Sequence, residues 1–227
     1  VAQKFGLFNN QVVVMIHSGS RGLGHQTCSD AISSFESSYE KKDGWWHHSD
    51  YNISLPDRQL ASEPIHSESG QLYIDRMNAA ANYAFANRSV LASRCRDAFS
   101  QVFGKDGSAS VVYDVTHNLA RKERHLVDGT YQKCWVHRKG ATRARSGDDD
   151  TLENFAVGTG QPVIVPGDMG NASWILAGPQ SGSNQAFGSS CHGAGRRLSR
   201  TAARESVNPL ELKERLQRKG ILVRARS

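Results

Sequence analysis

Between about Gly70 and Phe103, the residues Met77, Ala81, Ala84, Arg88, Leu91, Cys95, Ala98 and Val102 recur at alternating steps of four and three. Steps of that kind return to one side of an α-helix. The spacing therefore predicts one long helix with a largely apolar, alanine-rich face suited to close packing. Gly104 follows the last periodic residue, where a C-cap glycine belongs. Weaker helical patterns run from about Leu23 to Lys42 and near Pro209 to Lys219. The remaining apolar runs are short. Gln11 to Ile16 is rich in valine and reads as a buried strand, and Ala109 to Val115, about Tyr131 to His137, Pro162 to Pro166, Ala172 to Ala177 and Ile221 to Arg224 read as further strands. Asp43 to Ser69 has no clear period and reads as mostly loop; Ser146 to Asp150 reads as an acidic surface loop. No internal repeat is visible. The class these elements imply is α+β, with long helices packed on irregular, mostly antiparallel sheets.

The 227 residues suffice for one large domain or two small ones and for a substantial core without disulfides. The net charge of +6 is compatible with a polyanionic partner such as nucleic acid. Its distribution says more: Arg138, Lys139, Arg143 and Arg145 form one cluster, and Arg196, Arg197, Arg200 and Arg204 another. Cys28, Cys95, Cys134 and Cys191 are widely spaced, with no Cys-x-x-Cys pair, and read as free thiols of a reducing compartment. No apolar run reaches membrane-spanning length, so a cytoplasmic protein is expected. The chain opens without Met and its final strand-like run has no completing element, so the sequence reads as cut at both ends.

Four histidines close strand-like runs beside turns. They are His17 after Val12 to Ile16, His117 after Val111 to Thr116, His137 after Cys134 to Val136, and His192. Strand ends are where loops gather side chains into sites, and neutral imidazoles ligate manganese or zinc. Taken singly, each histidine reads first as a hydrogen-bonded structural residue, and the shared setting narrows that margin without reversing it. His47, His48, His66 and His125 lie among polar residues and read as surface positions.

Cys191-His192-Gly193-Ala194-Gly195-Arg196-Arg197 places a nucleophilic nitrogen before a bare glycine turn and a run of positive charge. Gly193 and Gly195 would let backbone amides approach a phosphate. A helix starting near Gly195 would add its dipole. The same residues would also suit a glycine turn leading into a solvated basic helix. Pro166-Gly167-Asp168-Met169-Gly170-Asn171-Ala172-Ser173 is a second glycine-rich turn, in which Asp168 offers an acceptor to a base or ribose; on its own the turn reads first as an ordinary strand connection. His137 to Arg143 matches neither a Walker A loop nor a Rossmann turn, and a solvated basic loop is its default reading.

Together, His17 to Gln26, Ala80 to Arg88, Asp114 to Asn118, His137 to Ala144, Pro166 to Ser173 and Cys191 to Arg200 resemble, in this order, the RtcB family of RNA-splicing ligases. The resemblance runs from about Val12 to the C-terminus. It implies a single catalytic domain, incomplete at both ends, of a GTP- and manganese-dependent enzyme. Such enzymes join RNA 3′-phosphate or 2′,3′-cyclic phosphate ends to 5′-hydroxyl ends in tRNA splicing and RNA repair. By motif, the resemblance makes His192 the guanylate-accepting nucleophile and His17 and His117 manganese ligands. It lines the guanylate site with His117, Asn118, Pro166, Gly167, Asp168, Met169, Ser173, His192, Gly193, Ala194 and Gly195. Arg21 and Arg200 become contacts for RNA phosphates, and an activating protein such as archease becomes a candidate partner. The family's upstream Asp-x-x-Cys and Gly-Asn-His segments have no counterpart here, nor has its C-terminal lysine, so the chain alone is expected to be inactive. Two other readings stand beside this one: a nucleotide- or RNA-binding remnant without turnover, and a metal-dependent phosphoesterase in which His17, His117 and His137 activate water.

Overall fold

The computed structural model describes residues 1–168, 170–182, 186–195 and 198–224; the side chains of Gln59 and Arg200 also lie outside the described set. The chain divides into two compact units, Val12–Val111 and a second formed by Val1–Gln11 with Val112–Ser227.

In the first unit, α1 (Arg21–Glu36) packs on α2 (Glu68–Phe103), with Phe35 and Tyr73 meeting edge to face. The long helix is the one the spacing predicts. Ser67 caps its start by accepting a hydrogen bond from the Gly70 amide at 3.0 Å, and Gly104 at φ 63° ends it. Ala80 and Ala84 are its buried side chains, small enough to admit a close neighbour. The apolar face is covered only over its first two-thirds, since Ala98 and Val102 are exposed. The helical pattern expected to reach Lys42 ends at Glu36, because Tyr39–Lys42 pairs instead as β1 with β2 (Trp45–His48). Asp43 and Gly44 make the turn at φ 51° and 84°, the left-handed pair that a two-residue hairpin requires. With β3 (Ser54–Leu55) this is a three-stranded antiparallel sheet where loop was expected. His48, expected at the surface, is buried. It lies 3.2 Å from the Glu63 carboxylate and against the rings of Tyr39 and Tyr51.

The second unit is built on a long antiparallel ribbon of β4 (Asn118–Val127) and β5 (Thr130–Lys139), joined by an Asp128-Gly129 turn of the same left-handed type. After Gly140 the chain enters β6 (Ala141–Arg143), which pairs with β9 (Ser189–Cys191); β7 (Pro162–Val165) pairs with β8 (Trp174–Ala177). Val163, Thr142 and Pro162 are the largest fully buried side chains. Two helices follow, α3 (Arg200–Ser206) and α4 (Pro209–Arg218). Helices with small antiparallel sheets make the class α+β.

Three expected strands are not formed. Gln11 to Ile16, Ala109 to Val115 and Ile221 to Arg224 are extended or irregular, and Val12, Val13 and Val14 are exposed. A valine run becomes a strand only when a neighbouring backbone takes its hydrogen bonds, and the described residues supply none. The accessible area agrees. The chain exposes 16621 Å², against about 12,000 Å² for two complete domains of these sizes. No helix among the described residues is long and apolar enough to cross a membrane. All four cysteines are free thiols.

Candidate functional site

His192 leaves β9 directly into the glycine turn. The β6–β9 register, Ala141 opposite Cys191 and Thr142 opposite Ser190, sets Gly140 beside His192. Gly140 has φ 63°, and a Cβ built on it would sit 3.4 Å from Cε1 and Nδ1 of the His192 ring. Its amide donates to Oδ1 of Asn118 at 3.1 Å, which joins the start of β4 to the same corner. His117, one residue earlier, stacks on His192 with ring centroids 4.4 Å apart and planes 19° from parallel.

The second glycine turn closes the site. The Ala194 amide donates to the Pro166 carbonyl at 3.0 Å, and a Cβ on Gly193 would lie only 3.0 Å from that oxygen. Within the turn, the Gly167 amide donates to Oγ of Ser173 at 3.1 Å. Asp168 Oδ1 accepts from the Gly170 amide and from Asn171 Nδ2, each at 2.8 Å. Those bonds hold its carboxyl below the ordinary carboxylate range. Oδ1 therefore serves the turn. Six of the expected guanylate-site residues, His117, Asn118, Pro166, His192, Gly193 and Ala194, thus converge, with Gly167 and Ser173 in the adjoining turn. Gly195 continues the chain as an exposed residue, and Met169 lies outside the described residues.

The helix expected near Gly195 starts only at Arg200. Ser199 is its N-cap, with Oγ accepting from the Ala202 amide at 3.1 Å, and a capping serine stops the helix from growing backward. Among the described residues of this segment, the helix terminus thus lies at Ser199 and not at Gly195. The basic loop reading of His137 to Arg143 also needs correction. His137 is exposed, but Arg138 and Thr142 are buried, and Arg138 is held by both oxygens of Glu123 at 2.8 Å. His125, expected at the surface, lies 3.0 Å from the same carboxylate and is half-buried. Arg143 is pushed down from its ordinary value by burial, and then by the charges of Arg145 and Arg121.

In the other unit, His17 is exposed at the start of a loop that α2 holds from below. Asn87 Nδ2 donates to Ser18 Oγ and to the Gly19 carbonyl, both at 2.9 Å, and Arg88 Nη1 reaches the Ser18 carbonyl at 3.4 Å. Arg88 also lies over the Phe85 ring. Ala80 to Arg88 carries no titratable cluster, yet it sets this histidine-bearing loop. Replacing Asn87 by Ala removes both bonds and is expected to cost about 1–2 kcal/mol and raise amide exchange through residues 18–20. Exchange unchanged in that loop would show that Asn87 does not hold it. Arg21 opens α1 at φ 55°, and its side chain is exposed. Among the described residues, no three His, Cys, Asp or Glu side chains gather as a metal-binding group.

Comparison with known proteins decides among the families that such a corner could serve. The sequence model described as tRNA-splicing ligase RtcB matches residues 1–227, the whole chain. The chain belongs to the RtcB family. It is 48% identical to the tRNA-splicing ligase RtcB of Methanococcus maripaludis over 229 aligned residues. It is 46% identical to that of Thermococcus kodakarensis, and in both cases the whole chain is covered. The RNA-splicing ligase RtcB homolog 1 of Entamoeba histolytica is 43% identical over 98% of the chain. The chain spans about half the length of these RtcB relatives: 46% of the first two and 41% of the third.

The RtcB motifs named from the sequence account for His117, Asn118, Pro166 and His192 in the corner. Gly140, Glu123 and Arg138 were not assigned roles from the sequence. Gly140 had a signal, a glycine among the basic residues that follow a strand-like run. Glu123 had none, because a lone glutamate among alternating charges looks like a solvated edge.

Proposed function

We propose that this RtcB-family chain carries the guanylate-accepting centre of an RNA ligase that joins RNA 3′-phosphate or 2′,3′-cyclic phosphate ends to 5′-hydroxyl ends, using GTP. The observation that supports it most is the stack of His117 on His192, packed against Gly140 and bonded through Ala194 to the Pro166 turn. A half-buried imidazole held by backbone and by a second ring is oriented for attack.

In this reading a ring nitrogen of His192 attacks the α-phosphorus of GTP. An N–P bond forms, the bond to the bridging oxygen breaks, and pyrophosphate leaves. A 2′,3′-cyclic end is first opened by water, which adds to the phosphorus as the bond to the 2′-oxygen breaks and that oxygen takes a proton; the RNA 3′-phosphate oxygen then displaces the imidazole and takes the GMP. The 5′-hydroxyl finally attacks the activated phosphorus, forming the 3′,5′ linkage and releasing GMP. The glycines around His192 keep side chains off the phosphates, and the Pro166 to Ser173 turn, with Asn118, forms the remaining wall of the nucleotide site.

Manganese is implied by the resemblance. By motif, His17 and His117 are the imidazole donors proposed for it, neutral nitrogen ligands of the type a borderline divalent ion takes. When bound, the ion offsets charge that grows on the phosphoryl oxygens. Arg21 supports an RNA-phosphate role for its loop. A non-glycine residue at positive φ, carrying positive charge at a helix N-terminus, is doubly unfavourable for stability, and such strain concentrates at functional sites. Arg200 is proposed for the same role from its motif, its side chain lying outside those described. Four free thiols suit the reducing cytoplasm as the place of action.

The test is to incubate the complete protein with α-labelled GTP and manganese, and to repeat it with His192→Ala. Label that is acid-labile, base-stable and lost in the variant is the expected result. Label that persists in the variant would sink the assignment of His192.

A further inference from the structure

The charged cluster beneath the site has no part in the chemistry described above, yet it touches the strand that delivers the nucleophile. Arg138 is buried on β5. Its guanidinium makes four hydrogen bonds: Nη1 and Nη2 donate to Oε1 and Oε2 of Glu123 at 2.8 Å, Nε to Ser189 Oγ at 2.9 Å, and Nη2 to the Phe187 carbonyl at 2.9 Å. Glu123 lies on the neighbouring strand β4, and His125 Nε2 sits 3.0 Å from its second oxygen while the His125 ring meets Phe187 edge to face. One fork thus grips two elements. Its carboxylate side fixes β4, and its other side fixes the approach to β9.

That approach needs a grip. β9 is three residues long, is held by β6 through three residue pairs, and ends one residue before His192. Ser189 and Phe187 are the two points at which Arg138 takes hold of it. A buried ion pair is poor evidence of a stability device, because a hydrophobic pair of similar volume is often as stable. A planar fork with fixed donor directions is, by contrast, well suited to setting position, and lysine cannot reproduce it.

We propose that Arg138, locked by Glu123, is a positioning residue for His192: it sets where β9 ends and so holds the imidazole in its stack on His117. The proposal rests on the reading of His192 as guanylate acceptor for its catalytic consequence, but its structural half can be read separately.

The test uses the complete protein carrying Glu123→Leu with Arg138→Met, which removes the pair without leaving a charge buried alone, and Ser189→Ala, which removes the bond from Arg138 Nε and the 3.3 Å bond from Ser189 Oγ to the Phe187 carbonyl and leaves the pair intact. Two quantities are followed: the single-turnover rate of guanylate transfer, and the proton shift of the His192 ring, which reports stacking on His117. The double variant is expected to keep its folding and GTP affinity, to transfer guanylate about 10- to 100-fold more slowly, and to move the ring proton toward its unstacked position. Ser189→Ala is expected to do the same at about 3-fold. A double variant that is folded, unshifted and as fast as the parent would overturn the proposal. If the parent takes no label at all, the reading of His192 fails and the ring shift alone decides: a moved resonance supports the bracket, and an unmoved one overturns it.

Discussion

Gly140→Val is expected to slow guanylate transfer at least about a hundredfold while leaving most of the fold in place. Two effects act at one position. At φ 63° a β-branched residue sits in the left-handed region, at a cost of about 1–2 kcal/mol. A Cβ alone would reach 3.4 Å from the His192 ring, so a bare methyl just touches it, whereas the branches of valine occupy space the ring now fills. The imidazole must tilt off His117 or the β5–β6 turn must open. Gly140→Ala separates the two effects, since it brings the backbone cost with little displacement, and is expected to lose activity by only about tenfold. Single-turnover labelling beside thermal unfolding distinguishes them. A valine variant with parental transfer rate would mean that His192 is not held by this corner.

Glu123→Ala is expected to give the largest loss of stability of any single change to the site's supports, about 3–5 kcal/mol near neutral pH. The variant leaves the Arg138 guanidinium buried without its carboxylate. Acid tests the same bond. Burial pushes the Glu123 carboxyl upward, but the hydrogen bonds from Arg138 and His125, together with the Arg138 and Arg143 charges, outweigh it and hold it below the ordinary 4.5. A carboxyl lowered on folding contributes its stability above the unfolded value, and that contribution fades as pH falls from about 4.5 toward the folded value. The difference in denaturant midpoint between the parent and Glu123→Ala should therefore be full at neutral pH and shrink below about pH 4.5. A difference independent of pH across that range would assign the loss to packing instead.

What could be read from the sequence follows from where each element finds its partners. α2 declares itself because its alternating steps, its Ser67 cap and its Gly104 stop are all local. β4 does not. One face carries Arg121, Glu123 and His125, so the alternation is real but its inner positions are polar or charged, with Glu123 paired to Arg138 across the ribbon and to His125 along the strand. The two tight hairpins rest on Asp-Gly pairs that were visible and went unread among polar neighbours. Val12 to Ile16 shows the opposite failure: its composition is that of a strand, but no described backbone lies alongside to make it one.

The site divides in the same way. His192, His117 and the Pro166 turn were legible as motifs, because residue type carries their chemistry. Gly140, Arg138 and Asn87 were not, because their roles depend on what lies opposite them in space. Sequence reasoning also placed a helix beneath the glycine turn, and Ser199 moved it away.

The most direct measurement is to locate the guanylate on the complete protein, by digesting the labelled product under alkaline conditions and sequencing the modified peptide by mass spectrometry. The account predicts a single phosphoramidate on the imidazole of His192. A guanylate found on Lys139, which adjoins Gly140 in the same corner, or on any residue other than His192, would contradict it.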